Sequence, residues 1–421
     1  MNHNIKEVAI LRIKPFRGLR PKRELVEKVA SPPYDVLERE EALEMARNNP
    51  YSFLHVIKPE IDLPEDVDLY DERVYRKGAE NLSKFINEGI LVQDPEEYFY
   101  IYRQEMGDHV QTGLVVAASC EDYGSGKIKK HELTREAKEL DRTKHILYTN
   151  ANTGPVFLLY RDGNLPVKEL LENYTQQHEP EYDFTSQGVR HIFWVIRDKG
   201  LIERIKGIFE GIPHLYIADG HHRAAAAHRV MEMKKKENPS HTGQEEYNFF
   251  LAVVFPHDEM QILPYNRAVK DLAGFSEEEF LKKVEENFEI SPGGPEPPQK
   301  QTISMYLGGK WYYLRPREGL FDPEDPVSSL DVAILQDHLL SPVLGIENPR
   351  KDPRITFIGG IKGTDYLEKL VDSGKYAVAF SMYPTSVEEL LKVADQGKIM
   401  PPKSTWFEPK LKSGLVVHLL S

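Results

Sequence analysis

Short apolar runs of β character, separated by turns rich in Pro, Gly, Asn and Asp, alternate along this chain with segments of helical period. Residues 8–13 predict a strand, and residues 14–21 turn the chain while adding Lys14, Arg17 and Arg20. Residues 24–29 read as one helical turn or an edge strand. Residues 31–36 must be extended, because a residue before proline is pushed out of the helical region. A helix is predicted over 38–48, a strand over 51–57, an acidic surface loop over 59–68 and a long helix over 69–88, closed by Gly89. Residues 90–92, 98–103 and 111–118 read as strands, the last two paired antiparallel through Met106-Gly107-Asp108.

Residues 129–145 read as a charged helix whose basic and acidic side chains form a solvated face. A small-polar turn over 149–155 leads to a buried strand over 156–160, and 184–190 with 191–196 resembles a hairpin. Further on, the pattern predicts a helix over 199–209, a strand over 248–255, a helix over 275–288, a hairpin over Gly308-Gly309, a helix over 331–340, a strand over 376–382 and a helix over 387–394. The segment 291–298 is the clearest linker-like stretch, and the prolines of 398–411 deny it a regular helix or central strand. Antiparallel hairpins interspersed with helices make the fold class α+β, with mixed, largely antiparallel sheets and flanking helices.

One stretch concentrates the chemistry. Leu215-Tyr216-Ile217-Ala218 is a short β-like run that breaks at Asp219-Gly220 and gives way to His221-His222-Arg223 and four alanines. It reads as strand, tight turn and helix start, where first-turn N–H groups and the helix dipole favour an anion. Asp219 as a simple cap is the plain alternative. Against that, His221, His222 and Arg223 place three basic side chains at the end where the dipole disfavours them, which points to an anionic partner. Other rigidly presented polar clusters are Tyr34-Asp35 after Pro32-Pro33, His131-Glu132 at a strand-to-helix corner, and Lys403-Ser404-Thr405 after Pro401-Pro402. His131, Glu132 and His145 are not at metal-ligand spacing.

Composition narrows the function classes. At 421 residues, two or three packed units are expected, and a net charge of −13 argues against nucleic-acid coating and for phosphate binding only in a local basic pocket. A single cysteine, Cys120, excludes an intrachain disulfide and a multi-cysteine metal site, and fits a reducing, cytoplasmic setting. No apolar leader core or membrane-length run is present, so the expectation is a cytosolic protein acting without membrane or nucleic acid, with a homodimer as a candidate assembly.

Five blocks, Pro15-Phe16-Arg17, Pro32-Pro33-Tyr34-Asp35-Val36, Lys130-His131-Glu132, Asp219-Gly220-His221-His222-Arg223 and Met400-Pro401-Pro402-Lys403-Ser404-Thr405, together resemble the domain-of-unknown-function family 1015, DUF1015. The resemblance runs nearly end to end. Its Asp-Gly-His-x-Arg block is similar to the phosphate-gripping block of the ParB and sulfiredoxin-like superfamily, including the nucleotide-dependent free-serine kinases of that fold. The resemblance implies a ParB/sulfiredoxin-like core over 1–290 with a large insertion at about 36–190, and a C-terminal α/β subdomain over 299–421 packing on the site.

It also implies roles. Gly220, His221, His222 and Arg223 would hold ADP or ATP phosphates, with Arg17, Lys403, Ser404 and Thr405 as further phosphate or nucleotide contacts. Asp219 would sit near a Mg²⁺ ion or the acceptor hydroxyl, His222 would join the catalytic set, and Tyr34, His131 and Asn150 would contact substrate. The kinases use a carboxylate near their N-terminal strand as base; this chain offers no Glu at such a block, so Asp35 and Glu132 stand in for it. The activity implied is phosphotransfer from a nucleotide to a small hydroxyl metabolite such as serine. A phosphatase acting on phosphoserine or a similar phosphoester, and a non-catalytic regulator binding a nucleotide or phosphorylated metabolite, are the alternatives.

Overall fold

The computed structural model describes residues 10–163 and 165–421. The first part of the strand predicted over 8–13, and the expected absence of a leader at the N-terminus, fall on residues 1–9, outside the described residues. By its contacts the chain divides into two compact units, Met1–Met260 with Pro409–Ser421, and Gln261–Glu408.

The first unit is built on a mixed sheet. In spatial order its strands are Ile128–Lys129, Leu215–Asp219, Val156–Tyr160, Phe249–Pro256, His109–Ser119, Phe99–Met106, Val189–Ile196 and Tyr182–Ser186, with Ile13–Lys14 paired beside His109–Ser119. Two of the pairings are parallel, Leu215–Asp219 with Ile128–Lys129 and Phe249–Pro256 with Val156–Tyr160; the others are antiparallel. Phe249–Pro256 is buried at every position, as a central strand covered on both faces must be. The helices Lys199–Glu210 and His221–Glu237 pack Ile205, Phe209, Ala224, Ala226 and Val230 into the core shared with this sheet. A second cluster gathers Leu19, Val29, Phe53, Leu54, Phe85 and Val417.

The second unit carries an antiparallel sheet in the order Phe288–Pro292, Lys310–Pro316, Ile303–Leu307, Val378–Ser381, Tyr265–Val269, Ile355–Gly359. The protein is therefore α+β, with mixed and antiparallel sheets and flanking helices. No helix among the described residues is long and apolar enough to cross a membrane.

Several elements differ from the sequence reading, each for a local reason. Residues 51–57, expected as a strand, contain the helix Leu54–Ile57: Phe53, Leu54, Val56 and Ile57 are all buried, and an apolar run without alternation suits a buried helical turn as well as a strand. The expected loop at 59–68 begins with the 3-10 turn Pro59–Asp62, whose Pro59, Glu60 and Ile61 are buried; Arg39 Nη2 donates to the carbonyls of Glu60 and Leu63, and Lys58 pairs with Glu60 at 3.1 Å. Tyr34–Val36 is a 3-10 turn following extended Pro33. The helix expected over 331–340 is α-helical over Asp331–Leu335 and π-helical over Gln336–Leu340. Within the linker-like stretch, Ser291 and Pro292 continue a strand of the second sheet, and within 398–411 the strand Trp406–Glu408 pairs with Gln261–Leu263 between the prolines.

Candidate functional site

The strand Leu215–Asp219 leaves regular pairing with Val156–Tyr160 through a register shift between Ile217 and Asp219, so its last residue is re-aimed just before the turn. Gly220 follows at φ +96°, a conformation that side chains with a Cβ adopt only under strain, and the helix His221–Glu237 begins at once. No side chain caps this helix. Its first-turn N–H groups and the positive end of its dipole are thus left to the turn itself.

The Arg223 guanidinium folds back over the turn. A Cβ placed on Gly220 would stand 3.0 Å from Arg223 Nε, so glycine is what admits it. Its Nη1 donates to the Pro155 carbonyl, and its Nη2 lies 3.7 Å from Asp219 Oδ1 and 3.7 Å from Asp35 Oδ2. Those two separations are ion pairs rather than hydrogen bonds. The Arg223 side chain is 10% exposed, and its Nε is buried without a hydrogen-bond partner. A buried, charged donor left unpaired costs free energy unless something supplies an acceptor.

Asp219 is flanked by cations. Its Oδ2 is 3.3 Å from Lys410 Nζ, and Lys410 and Arg223 hold its carboxyl well below the usual range even though burial acts the other way. Asp35 is different: its side chain is 36% exposed, so it faces both Arg223 and solvent.

Burial removes the charge expected on the imidazoles. His131 and His222 are each pushed down to about 4, and His221 well below its ordinary value, chiefly because desolvation disfavours the charged ring. At pH 7 these rings are neutral. The conflict of three basic groups with the helix dipole therefore reduces to one cation, Arg223. The imidazoles serve as acceptors: His222 Nε2 takes a hydrogen bond from Arg135 N at 3.0 Å, and His221 Nε2 faces His131 N at 3.5 Å, with the two rings edge-on at 4.5 Å. Arg135 and Lys138 carry positive charge near His222.

Distant segments meet this turn. Tyr34 brings its ring under the Arg142 guanidinium at 4.0 Å, and Arg142 is itself paired with Asp141 at 2.9 Å. Beside Arg223, a narrow cavity of about 30 Å³ is lined by the polar residues Tyr34, Arg142, Thr153 and Ser413 and by apolar Ile57, Val156 and Phe250. That volume admits about two water-sized groups.

The sequence-predicted residues thus separate. Tyr34, Asp35, His131, Asp219, Gly220, His221, His222 and Arg223 come together. Glu132 is half-buried next to His131 in the chain, but the carboxylates whose charges stabilise the Arg223 cation are Asp35 and Asp219. Arg17 is exposed and donates its Nε to the Asp94 carbonyl at 3.1 Å. Asn150 ends the helix Glu136–Thr149 in a left-handed conformation and accepts from Lys234 at 2.8 Å, while the same loop presents Asn152, Thr153 and Gly154 to the cavity. Lys403, Ser404 and Thr405 belong to the second unit. There Lys403 has φ +60° and extends Nζ over the Tyr265 ring, its carbonyl accepts from Arg267, and the Ser404 hydroxyl is turned back to the Pro401 carbonyl at 2.6 Å. Sequence reasoning missed Lys410 and Arg142. The first lies far along the chain from Asp219 with no local motif, and the second sits inside a charge run that reads as solvated.

The donor set fits a phosphate-sized anion: the start of a helix without a side-chain cap, and a buried guanidinium with an unpartnered Nε. It does not fit a divalent cation at Asp219, because both oxygens of that carboxylate already face cations, and no group of three His, Cys, Asp or Glu side chains suited to a metal occurs among the described residues.

No curated protein matches the sequence. Among solved structures, a free serine kinase in complex with AMP aligns at 14% identity and TM-score 0.36, covering 70% of this chain and 86% of that one. SbnI with a C-terminal truncation, from Staphylococcus aureus, aligns at 12% identity and TM-score 0.37, covering 70% and 84%. A conserved hypothetical protein from Pyrococcus furiosus aligns at 13% identity and TM-score 0.36, covering 71% and 93%. The family model described as a protein of unknown function, DUF1015, matches residues 13–333, and the chain belongs to that family.

Proposed function

We propose that this protein is a phosphotransferase that moves a phosphoryl group from a nucleotide, ATP or ADP, to the hydroxyl of a small metabolite such as free serine, with the turn Asp219–Arg223 holding the transferring group. The observation that carries the reading is the buried Arg223 Nε without a partner, over Gly220 at an uncapped helix start, in a guanidinium whose Nη2 lies 3.7 Å from the half-exposed carboxylate of Asp35.

Phosphoryl transfer asks the protein for position and charge more than for covalent chemistry. The acceptor oxygen forms the new bond to phosphorus as the bond to the nucleotide's leaving oxygen breaks, and the bonding electrons leave with the nucleotide. Asp35 takes the hydroxyl proton, since it is the carboxylate that reaches both Arg223 and solvent. Arg223 and the first-turn N–H groups face the phosphoryl oxygens as charge shifts onto them. Asp219, half-buried between two cations, orients those cations and does not take the proton.

The test is a screen of the purified chain with ATP or ADP and serine, and separately with phosphoserine, read by phosphorus NMR. Phosphoserine and the shortened nucleotide are expected. Phosphate released from phosphoserine without nucleotide turnover would make the protein a phosphatase. Nucleotide binding without product would make it a binder, and neither binding nor product would overturn the phosphate site altogether.

A further inference from the structure

The helix Glu136–Thr149 brings one guanidinium, Arg142, to the cavity beside Arg223. Its side chain is 12% exposed and lies over the Tyr34 ring at 4.0 Å. Asp141 occupies one edge of the guanidinium: its Oδ2 accepts from Arg142 Nε at 3.0 Å and pairs with Nη2 at 2.9 Å, while its Oδ1 accepts from Tyr75 Oη at 3.0 Å. Among the described residues, Arg142 Nη1 has no hydrogen-bond partner. The Nη1–Nη2 edge, whose parallel N–H groups match the two oxygens of a carboxylate, is therefore left over. Two hydroxyls share this condition. Thr153 and Ser413 are buried residues lining the same cavity, and neither hydroxyl is hydrogen-bonded to another described residue. Ser413 is fixed there by the two backbone hydrogen bonds it exchanges with Ser31, at 2.9 and 3.0 Å. Polar groups gathered on one small cavity without protein partners cost free energy unless a bound group completes them.

We propose that this cavity is the subsite for a carboxylate of the acceptor, held by the unbonded edge of Arg142 and by the Thr153 and Ser413 hydroxyls. The acceptor class is then the small hydroxy acids, serine among them, and not neutral alcohols. The proposal rests on the phosphotransfer reading above for the role of the acceptor's hydroxyl. Size argues for a carboxylate. About 30 Å³ has room for two oxygens, which is what a carboxylate brings, whereas a phosphoryl group brings three and a nucleotide base far more. The cavity thus takes a different group from the one at the turn. Position argues the same way. Tyr34, under Arg142, is followed directly by Asp35, whose Oδ2 lies 3.7 Å from Arg223 Nη2, and Arg223 lines the same cavity. Adjacent Cα atoms are about 3.8 Å apart, so a short carbon chain leads from a carboxylate at Arg142 to a hydroxyl beside Asp35.

Calorimetric titration of the full chain with serine, with glycerate and with their carboxamides, for the wild type and Arg142→Lys, tests this beside a transfer assay using the same acceptors with ATP or ADP. The wild type should bind at least one of the acids about tenfold or more tighter than its carboxamide, the worth of one charge-assisted contact. Arg142→Lys keeps a charge for Asp141 and loses the planar fork, so it should melt close to the wild type while that preference falls to within about threefold. Equal affinity for acid and carboxamide in the wild type, no binding of either acid, or a full preference kept in Arg142→Lys overturns the subsite. Should Arg142→Lys fail to fold, Thr153→Val decides: acid binding weakened about threefold or more, with carboxamide binding unchanged, supports the subsite, and unchanged acid binding overturns it. A carboxylate preference that Arg142→Lys abolishes, with no phosphorylated product from any acceptor, leaves the subsite standing and overturns the phosphotransfer reading. Phosphorylated product from acid and carboxamide alike overturns the subsite alone.

Discussion

Asp35 and Asp219 both face Arg223, yet they should answer differently to the same substitution. At 3.7 Å a unit charge pair is worth about 4 kcal/mol at an effective dielectric of 20 and about 1 kcal/mol in water. Asp35 is 36% exposed, so its pair with Arg223 lies toward the aqueous limit, and Asp35→Asn should cost no more than about 1 kcal/mol of stability. If Asp35 takes the acceptor proton, the same substitution should lower kcat by about 10²–10⁴-fold with KM for nucleotide little changed. Asp219→Asn strips the shared carboxylate from two sheltered cations. Because Asp219 is itself 28% exposed, the loss lies between that of a surface pair and that of a buried one, about 1–3 kcal/mol, and in a unit of this size lowers Tm by roughly 2–12 °C. The assays are calorimetric melting of both variants and steady-state kinetics of phosphoserine formation at matched occupancy. Asp35→Asn with unimpaired kcat would refute the assignment of the base. Asp219→Asn melting with the wild type would refute the view that Asp219 holds the two cations.

Gly220→Ala forces a Cβ into a backbone at φ +96° and against Arg223 Nε, so a loss of about 1–2 kcal/mol in melting and a clear weakening of phosphate binding are expected; unchanged phosphate affinity would contradict the placement of Arg223. Mild acid should loosen the first unit. His131 and His145 are held at about 4 and His191 at about 3, below the 6.5 of the unfolded chain, so the unfolded state binds more protons and stability falls as pH drops from about 7 to 4. For His131 and His145 this is about 3 kcal/mol each at the most. In the second unit Asp331, raised to about 7 by burial, works in the opposite sense, because the unfolded chain releases its proton first and stability is lost as pH rises from about 4 to 7. Hydrogen exchange at pH 5 and pH 7.5 should therefore show faster opening of the first unit and slower opening of the second at the lower pH; parallel changes would contradict these pKa directions.

The strand, turn and helix at Asp219–Arg223 were legible because each local signal agrees: a β-like run, the only residue type that tolerates the turn, and four alanines. The rigid Pro-Pro segment before Tyr34-Asp35 also declared itself, and it does meet the turn. Charge state was not legible, since His131, His221 and His222 are basic by type and neutral by burial. Arg142 was misread for the mirror-image reason: Asp141 beside it and the Tyr34 ring beneath it let a guanidinium leave the solvated face that its neighbours suggest. Lys410 had no local signal at all. Its place beside Asp219 depends on a chain return that brings Pro409–Ser421 back to the first unit.

The central claim is that the turn at Gly220 holds a phosphoryl group during its transfer. The most direct measurement incubates the full chain with ATP or ADP carrying a radiolabelled terminal phosphate, together with serine, and separates the products. Label is expected to appear in phosphoserine with the wild type and to disappear with Arg223→Gln. Label that stays wholly in the nucleotide, or transfer that proceeds unchanged in Arg223→Gln, would contradict the account.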